Sequence, residues 1–333
     1  MGSIASTQFN SVTTTMPTIM PDMTLPRSPL ASAAPVTIEE EVPVAELIAS
    51  WQREFGIDIT DEFTGVQKLS FCRCTRSQLG FFWPSVAGSA KIYAGLESKP
   101  WYYRSDQWEY TFALREAEPG ARVLDLGCGT GAFVEMAEAA GLRAEGVDFN
   151  ATAVANARAK GLDVSCASWI DLAIEKPGSY DLVTAFQLLE HLAEPLPFLQ
   201  SAVELTRPGG RLLLAVPDAD GWLSRTSNLL DRPPHHVLRW NPAAMQFLTE
   251  ILPLELEKII VEPLDPVHVR GFVGAYIHPR VPMGKRPSFI IRGLARSFAS
   301  VLSVPAIRKR FQGQSMIAVF RRRPGVFPKL EVS

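Results

Sequence analysis

The sequence predicts an α/β protein: a doubly wound sheet of seven strands preceded by a small irregular N-terminal subdomain. Three observations carry this. From residue 121 onward, short apolar runs alternate with stretches of helical period, and such alternation calls for a mainly parallel sheet with helices on both faces. Residues 61–100 break that pattern with aromatic, Gly and Pro residues, which marks a separate, smaller unit. The 333 residues, 47% hydrophobic and 20% charged, suffice for one large domain and an appendage.

Residues 1–40, rich in Ser, Thr, Pro and Met and almost uncharged before Glu39, are expected to be disordered. Order is expected to begin with a short helix around 43–54, and residues 41–100 form the accessory subdomain. The aromatic stretch 102–120 has helical spacing and ends in Pro-Gly. The main domain then covers 101–333. Its strands are ARVLDL, LRAEGVD, LDVSC, YDLVTAF, GGRLLLAV, LELEKIIVE and QSMIAVFRR. Asn150 is a candidate N-cap for one intervening helix, and Asn241, followed by Pro242, for another. Roughly fifty residues separate the last two strands, too many for a plain turn, so 265–312 is read as an insertion or lid. Within it, 289–311 is apolar with interspersed Arg and Lys. A helical lid or dimer contact is preferred there over a membrane-surface helix.

A formal net charge of −2 gives no basic field for nucleic acid. Cys72, Cys74, Cys128 and Cys166 do not form a disulfide framework, and Cys72-Arg73-Cys74 has no second pair to make a zinc ribbon. No apolar run reaches the roughly 20 residues that span a bilayer, and the start lacks a signal-peptide layout. A cytoplasmic setting is therefore expected. The MGSIAS start fits a loose myristoylation pattern, read as chance.

The stretch VLDLGCGTGAF, 123–133, joins a buried strand to a helix through Gly127, Gly129 and Gly131, which allow a tight turn and close approach of a ligand. A nicotinamide dinucleotide would set its pyrophosphate on such a helix N-terminus. Asp125, two residues before the first glycine, would repel a pyrophosphate and favour a ligand bearing an ammonium group. Asp148 ends the next strand, 21 residues after Gly127, where a carboxylate accepts ribose hydroxyls in either case.

The pattern D-L-G-C-G-T-G resembles the first motif of class I S-adenosylmethionine-dependent methyltransferases. YDLVTAFQLLEHL, 180–192, resembles their fourth motif, and LTRPGGRLLLAVP the next. The resemblance covers about 101–333 and is nearest to quinone-biosynthesis O-methyltransferases and sugar or natural-product methyltransferases. It implies a Rossmann-like methyltransferase sheet and S-adenosylmethionine as cofactor. It places Asp125, Gly127, Gly129, Gly131, Asp148 and Phe149 around that cofactor, Ser168 and Trp169 near the adenine, and Phe186 and Gln187 along the methionine arm. The N-terminal C-x-C…FFWP…YAGL…YY…WE region, 72–109, resembles, less specifically, an accessory segment of methyltransferases found with glycan-biosynthesis genes. The implied acceptor is a hydroxyl on a small molecule or glycan. A non-catalytic cofactor-binding module and a nicotinamide oxidoreductase stand as alternatives.

Methyl transfer to a hydroxyl needs positioning and a base, and histidine titrates in the useful range. The candidates are His191, at the cofactor edge after the fourth strand, and His235 and His236, in a Pro-rich segment over the crevice at the carboxyl ends of the strands. Each reads equally well as a loop-organising side chain. In an extended loop adjacent side chains point to opposite sides, so one of the pair is expected to face the site and no metal is expected. A metal would need one of them with Glu190 or His191. Trp222, Arg225 and Trp240 are candidates for shaping the acceptor pocket or for plain packing.

Overall fold

The computed structural model describes residues 25–99, 102, 107–226, 228–277 and 289–325. The chain first lays down β1 (Val36–Pro43), α1 (Val44–Phe55), β2 (Lys68–Cys74), β3 (Gly80–Trp83) and α2 (Ala90–Glu97). The expected disorder through residue 40 therefore does not hold: β1 begins at Val36, and Leu30 is already buried. What lies before residue 25 is outside the described residues.

The main domain follows as α3 (Trp108–Glu116), β4 (Arg122–Leu126), α4 (Ala132–Ala139), β5 (Arg143–Val147), α5 (Ala151–Ala159), β6 (Val164–Ser165), α6 (Trp169–Glu175), β7 (Tyr180–Phe186), α7 (Pro195–Leu205) and β8 (Thr206–Pro217). It closes with β9 (Leu238–Arg239), α8 (Pro242–Ile251), β10 (Leu254–Pro263), α9 (Val269–Ile277), α10 (Phe289–Leu302), α11 (Pro305–Arg308) and β11 (Gln312–Arg322). The large sheet has seven strands in the order β10-β11-β8-β7-β4-β5-β6. The five strands from β6 to β8 are parallel, and β11 inserts antiparallel between β8 and β10.

Strand alternation sends neighbouring residues to opposite faces. Leu212, Leu214 and Val216 of β8 pack with α7 and α8, through Phe198 and Phe247. Leu213 and Ala215 pack with α4 and α5 on the other face, through Phe133 and Val154. Both expected caps form: Asn150 Oδ1 accepts from the Thr152 and Ala153 amides, and Asn241 Oδ1 accepts from Ala244 N.

The N-terminal unit is more regular than expected and is not confined to 41–100. It is an antiparallel four-stranded sheet of order β1-β2-β3-β9, and its last strand comes from the main domain. Its core, centred on the fully buried Trp51 with Leu69 and Phe82, also takes in Leu229. Arg239 of β9 sets its guanidinium 4.6 Å from the Phe71 ring centroid and 5.3 Å from that of Phe82. A two-residue strand carries no periodic signal, which is why the boundary at 100 misses it.

Part of the 265–312 insertion is described. α9 and α10 join the short turn Trp222–Arg225 in a small core of Trp222, Phe272 and Leu302. Leu294 and Val301 of α10 remain exposed. Among the described residues no helix is long and apolar enough to cross a membrane.

Candidate active site

The glycine loop lies between β4 and α4, at the carboxyl ends of the parallel strands. Gly127, Gly129 and Gly131 all have positive φ, at 78°, 53° and 77°. A Cβ on Gly131 would come 2.7 Å from Leu162 Cδ1, and one on Gly127 would come 2.9 Å from Leu188 Cδ2. The amides of Gly127 and Cys128 both donate to the Val147 carbonyl, at 2.8 and 3.1 Å, so the end of β5 holds the loop. Asp148 completes the hold. Its Oδ2 accepts from Gly129 N at 2.8 Å and its Oδ1 from Asn150 N at 2.7 Å. Each carboxylate oxygen keeps a further lone pair, so Asp148 can shape the loop and still accept a ligand hydroxyl.

Asp125 sits below the loop, buried, with Oδ1 accepting from Thr184 Oγ1 at 2.8 Å. Burial and then the nearby Asp148 charge push its pKa up to about 8, against the Thr184 hydrogen bond. Without a cation beside it, this carboxyl keeps its proton at neutral pH. Phe149 is exposed and meets Trp169 edge-on at 4.3 Å, and Trp169 in turn stands on Phe198 at 5.1 Å. These two rings form an aromatic corner beside the end of β5. Ser168 N-caps α6, its Oγ 3.5 Å from Asp171 N.

Phe186 and Gln187 are used differently from the sequence expectation. Phe186 packs into the core between Tyr110 and Phe133, at 5.1 and 5.0 Å. Gln187, with φ of 51°, directs its amide nitrogen to Glu109 Oε1 at 2.9 Å and Ser315 Oγ at 3.3 Å. It ties α3 and β11 to the end of β7. Glu109 itself went unread in the sequence, although a carboxylate inside the aromatic run QWEYTF was the available signal.

His191, His235 and His236 come together. The pair at 235–236 does not splay to opposite sides: the rings stack at 4.5 Å with 22° between planes. The reason is local. Both backbone amides donate to the Arg232 carbonyl at 3.1 Å, so the segment turns rather than extends. His191 meets both rings edge-on, at 4.6 and 4.9 Å. Its Nδ1 lies 2.7 Å from the His235 carbonyl and 3.1 Å from the Tyr93 hydroxyl. The Tyr102 hydroxyl lies 3.0 Å from His235 Nε2. Burial pulls the His191 pKa down to about 4 and those of His235 and His236 well below the ordinary value. Tyr93 lies on α2 of the N-terminal unit and Tyr102 just after it, and only the fold brings them here. Among the other pocket candidates, Trp240 is fully buried in the main core, Trp222 packs on Phe272, and Arg225 covers the Tyr276 ring.

A seven-stranded sheet with an antiparallel strand beside its edge, a glycine loop after its central strand and a carboxylate after the next define a nucleotide-cofactor α/β domain. Residues 103–250 match a family model described as a methyltransferase domain. Ubiquinone biosynthesis O-methyltransferase of Xanthomonas campestris pv. campestris is 40% identical over 109 residues, which is 31% of this chain and 46% of that one. The Bordetella pertussis protein of the same name is 37% identical over 97 residues, 27% of this chain and 40% of its own. The chain thus spans about half the length or less of these curated relatives. A SAM-dependent methyltransferase structure from Archaeoglobus fulgidus aligns at 20% identity and a TM-score of 0.44, over 64% of this chain and 90% of that one. Residues 103–250 of the chain thus form a methyltransferase domain.

Proposed function

We propose that this protein transfers a methyl group from S-adenosylmethionine to a hydroxyl of a small molecule. The observation that carries the reading is the Gly129 N to Asp148 Oδ2 hydrogen bond, which presents the glycine loop and a ribose-type carboxylate to one ligand. The cofactor's sulfonium supplies the electrophilic methyl. The residues present fit it: side chains at Gly127 and Gly131 would collide with Leu188 and Leu162, so the loop keeps an open backbone cradle. Asp148 would take the ribose hydroxyls. Phe149 and Trp169 would flank the adenine, with Ser168 acting through the α6 cap. Asp125 would lie toward the ammonium group. Phe186 and Gln187 would support the methionine arm from behind, through core packing and the Glu109 tie.

On the acceptor side, His191 is the favoured base. Its Nδ1 is engaged by a carbonyl, so Nε2 carries the lone pair, and it is the least buried of the three rings. His235 and His236 hold it in place. The hydroxyl is the preferred acceptor atom because the curated relatives are named O-methyltransferases. Glycan acceptors belong to the same chemistry. Calorimetry against S-adenosylmethionine and against a nicotinamide dinucleotide tests the cofactor, and binding of the dinucleotide alone would sink the reading. Mass-spectrometric screening of hydroxyl acceptors for one added methyl, with release of S-adenosylhomocysteine, separates an enzyme from a binding module.

A further inference from the structure

The histidine cluster has a property that methyl transfer does not require. One ring nitrogen of each of His191, His235 and His236 lies within 4.8 Å of the other two. Their tautomers follow from their partners. A carbonyl oxygen only accepts, so His191 Nδ1 at 2.7 Å from the His235 carbonyl carries a proton. So does His235 Nδ1, at 2.9 Å from the Leu230 carbonyl. His236 Nδ1 faces Asp231 Oδ1 at 3.4 Å in the same sense. A neutral imidazole protonated at Nδ1 has its lone pair on Nε2.

Nε2 of His191 and Nε2 of His236 face the same oxygen, Glu190 Oε1, at 4.0 and 3.9 Å. Those distances are too long for hydrogen bonds. Glu190 is buried, and neither of its carboxylate oxygens has a hydrogen-bond partner among the described residues. A buried carboxyl left unmatched in this way is costly. The Nε2 atoms of His191 and His236 and the Glu190 carboxylate thus face one space with no hydrogen bond between them, a set that a cation would match, while His235 Nε2 meets the Tyr102 hydroxyl at 3.0 Å. Ligand bonds of about 2.0–2.2 Å to a tetrahedral ion would set such atoms about 3.3–3.6 Å apart, so the cluster, now spread over up to 4.8 Å, would contract on binding.

We propose that His191, His235 and His236, with Glu190, bind a divalent transition-metal ion of the zinc class. Three imidazoles and one carboxylate suit such an ion better than calcium or magnesium, which favour oxygen ligands. The outer contacts are also those of a metal site: each ring is oriented through its Nδ1 by a carbonyl or carboxylate. The Tyr102 hydroxyl, now on His235 Nε2, gives up that lone pair on binding. Binding would occupy the Nε2 lone pair of His191 and fill all four positions of a tetrahedral ion, so the metal-bound cluster would be structural and His191 would act as a base only in the metal-free form. The binding proposal itself does not rest on methyl transfer.

The test uses the full chain, stripped with a chelator and titrated near neutral pH with cobalt(II), whose visible absorption reports geometry. The expected result is one ion per chain with intense tetrahedral bands, no thiolate charge-transfer band, and displacement by zinc. Glu190→Gln, which conserves volume, and His236→Gln are expected to weaken binding at least tenfold, with circular dichroism confirming that both remain folded. If a variant fails to fold, a zinc-dependent rise in the wild-type Tm together with cobalt spectra free of thiolate bands carries the same information. Absence of stoichiometric uptake by the wild type, thiolate bands, or wild-type affinity in the folded variants each overturns the proposal. None of these readouts involves turnover, so a failure here is distinct from a failure of the methyl-transfer reading.

Discussion

His191 Nδ1 meets the carbonyl oxygen of His235 at 2.7 Å, across 44 positions of sequence. That contact makes the turn after β7 and the segment before β9 one structural unit. It also fixes which nitrogen of His191 is free to act. Replacing His191 with Ala is expected to lower methyl transfer by a factor on the order of 10² or more, as for loss of a general base or of its equivalent. Cofactor affinity should stay near wild type, because the glycine loop and Asp148 are untouched. Steady-state kinetics with calorimetry checks this, and unchanged turnover would reduce the cluster to loop structure.

If Asp125 meets the ammonium group as proposed, cofactor binding is expected to depend on pH. Burial pushes its pKa in the folded protein up to about 8, against 3.8 for a free aspartate. The folded state therefore holds a proton that the unfolded state releases, and the stability tied to it is complete below pH 3.8 and is lost as pH rises through about 8. Asp125→Asn removes that loss. The ligand-free variant is expected to melt above wild type near pH 8 and level with it near the low end of that window. A cationic ligand favours the charged carboxylate, so wild-type affinity should climb between pH 6 and 8, by up to about tenfold per unit. The variant should bind weakly and without that component of the slope. Matching pH profiles for the two proteins would rule the role out.

Gly131 occupies left-handed backbone directly against Leu162 and Ala157. Gly131→Ala adds both a conformational cost of about 1–2 kcal/mol and a contact that neighbouring side chains must relieve. Lower stability together with cofactor affinity reduced at least tenfold is the expected pair of effects. Denaturant unfolding and calorimetry would reveal either effect missing.

Leu229 tests whether the N-terminal unit stands by itself. It is buried in that unit's core although it lies beyond residue 200. Leu229→Ala should cost about 2–5 kcal/mol, the range for a buried Leu. In hydrogen exchange the loss of protection should appear first in β2 and β3. A fragment ending at residue 99, lacking Leu229 and β9, should fail to show dispersed amide resonances. A well-folded fragment would refute the shared-core reading.

Asn241 caps α8 through its contact with Ala244 N at 2.9 Å. Asn241→Ala is expected to lower stability by about 1 kcal/mol without changing cofactor binding. Thermal melts with and without cofactor distinguish this from a site effect.

Much of the main domain was legible because its signals are local. Apolar runs of strand length, the glycine spacing of 127–131, and the caps at Asn150 and Asn241 each depend on residues a few positions apart. Asp148 was legible too, since it follows the second strand at a fixed distance. Phe186 and Gln187 were located at the correct strand end, but their side-chain directions follow from α3 and β11, which no local pattern ties to β7.

The sequence by itself determined the α/β class, the succession of the seven main-sheet strands along the chain, and the glycine loop that follows the first of them, because hydrogen bonding and period act over a few residues. The tertiary structure alone decided three things: that β9 completes the N-terminal sheet, that Tyr93 and Tyr102 reach the histidines, and that His191 and His236 face Glu190 with His235 packed against both rings. Those relations are contacts between segments 40 to 160 positions apart. They exist only once the buried apolar faces have fixed where each segment lies, and burial is also what strips these polar groups of water and leaves them to find partners in one another.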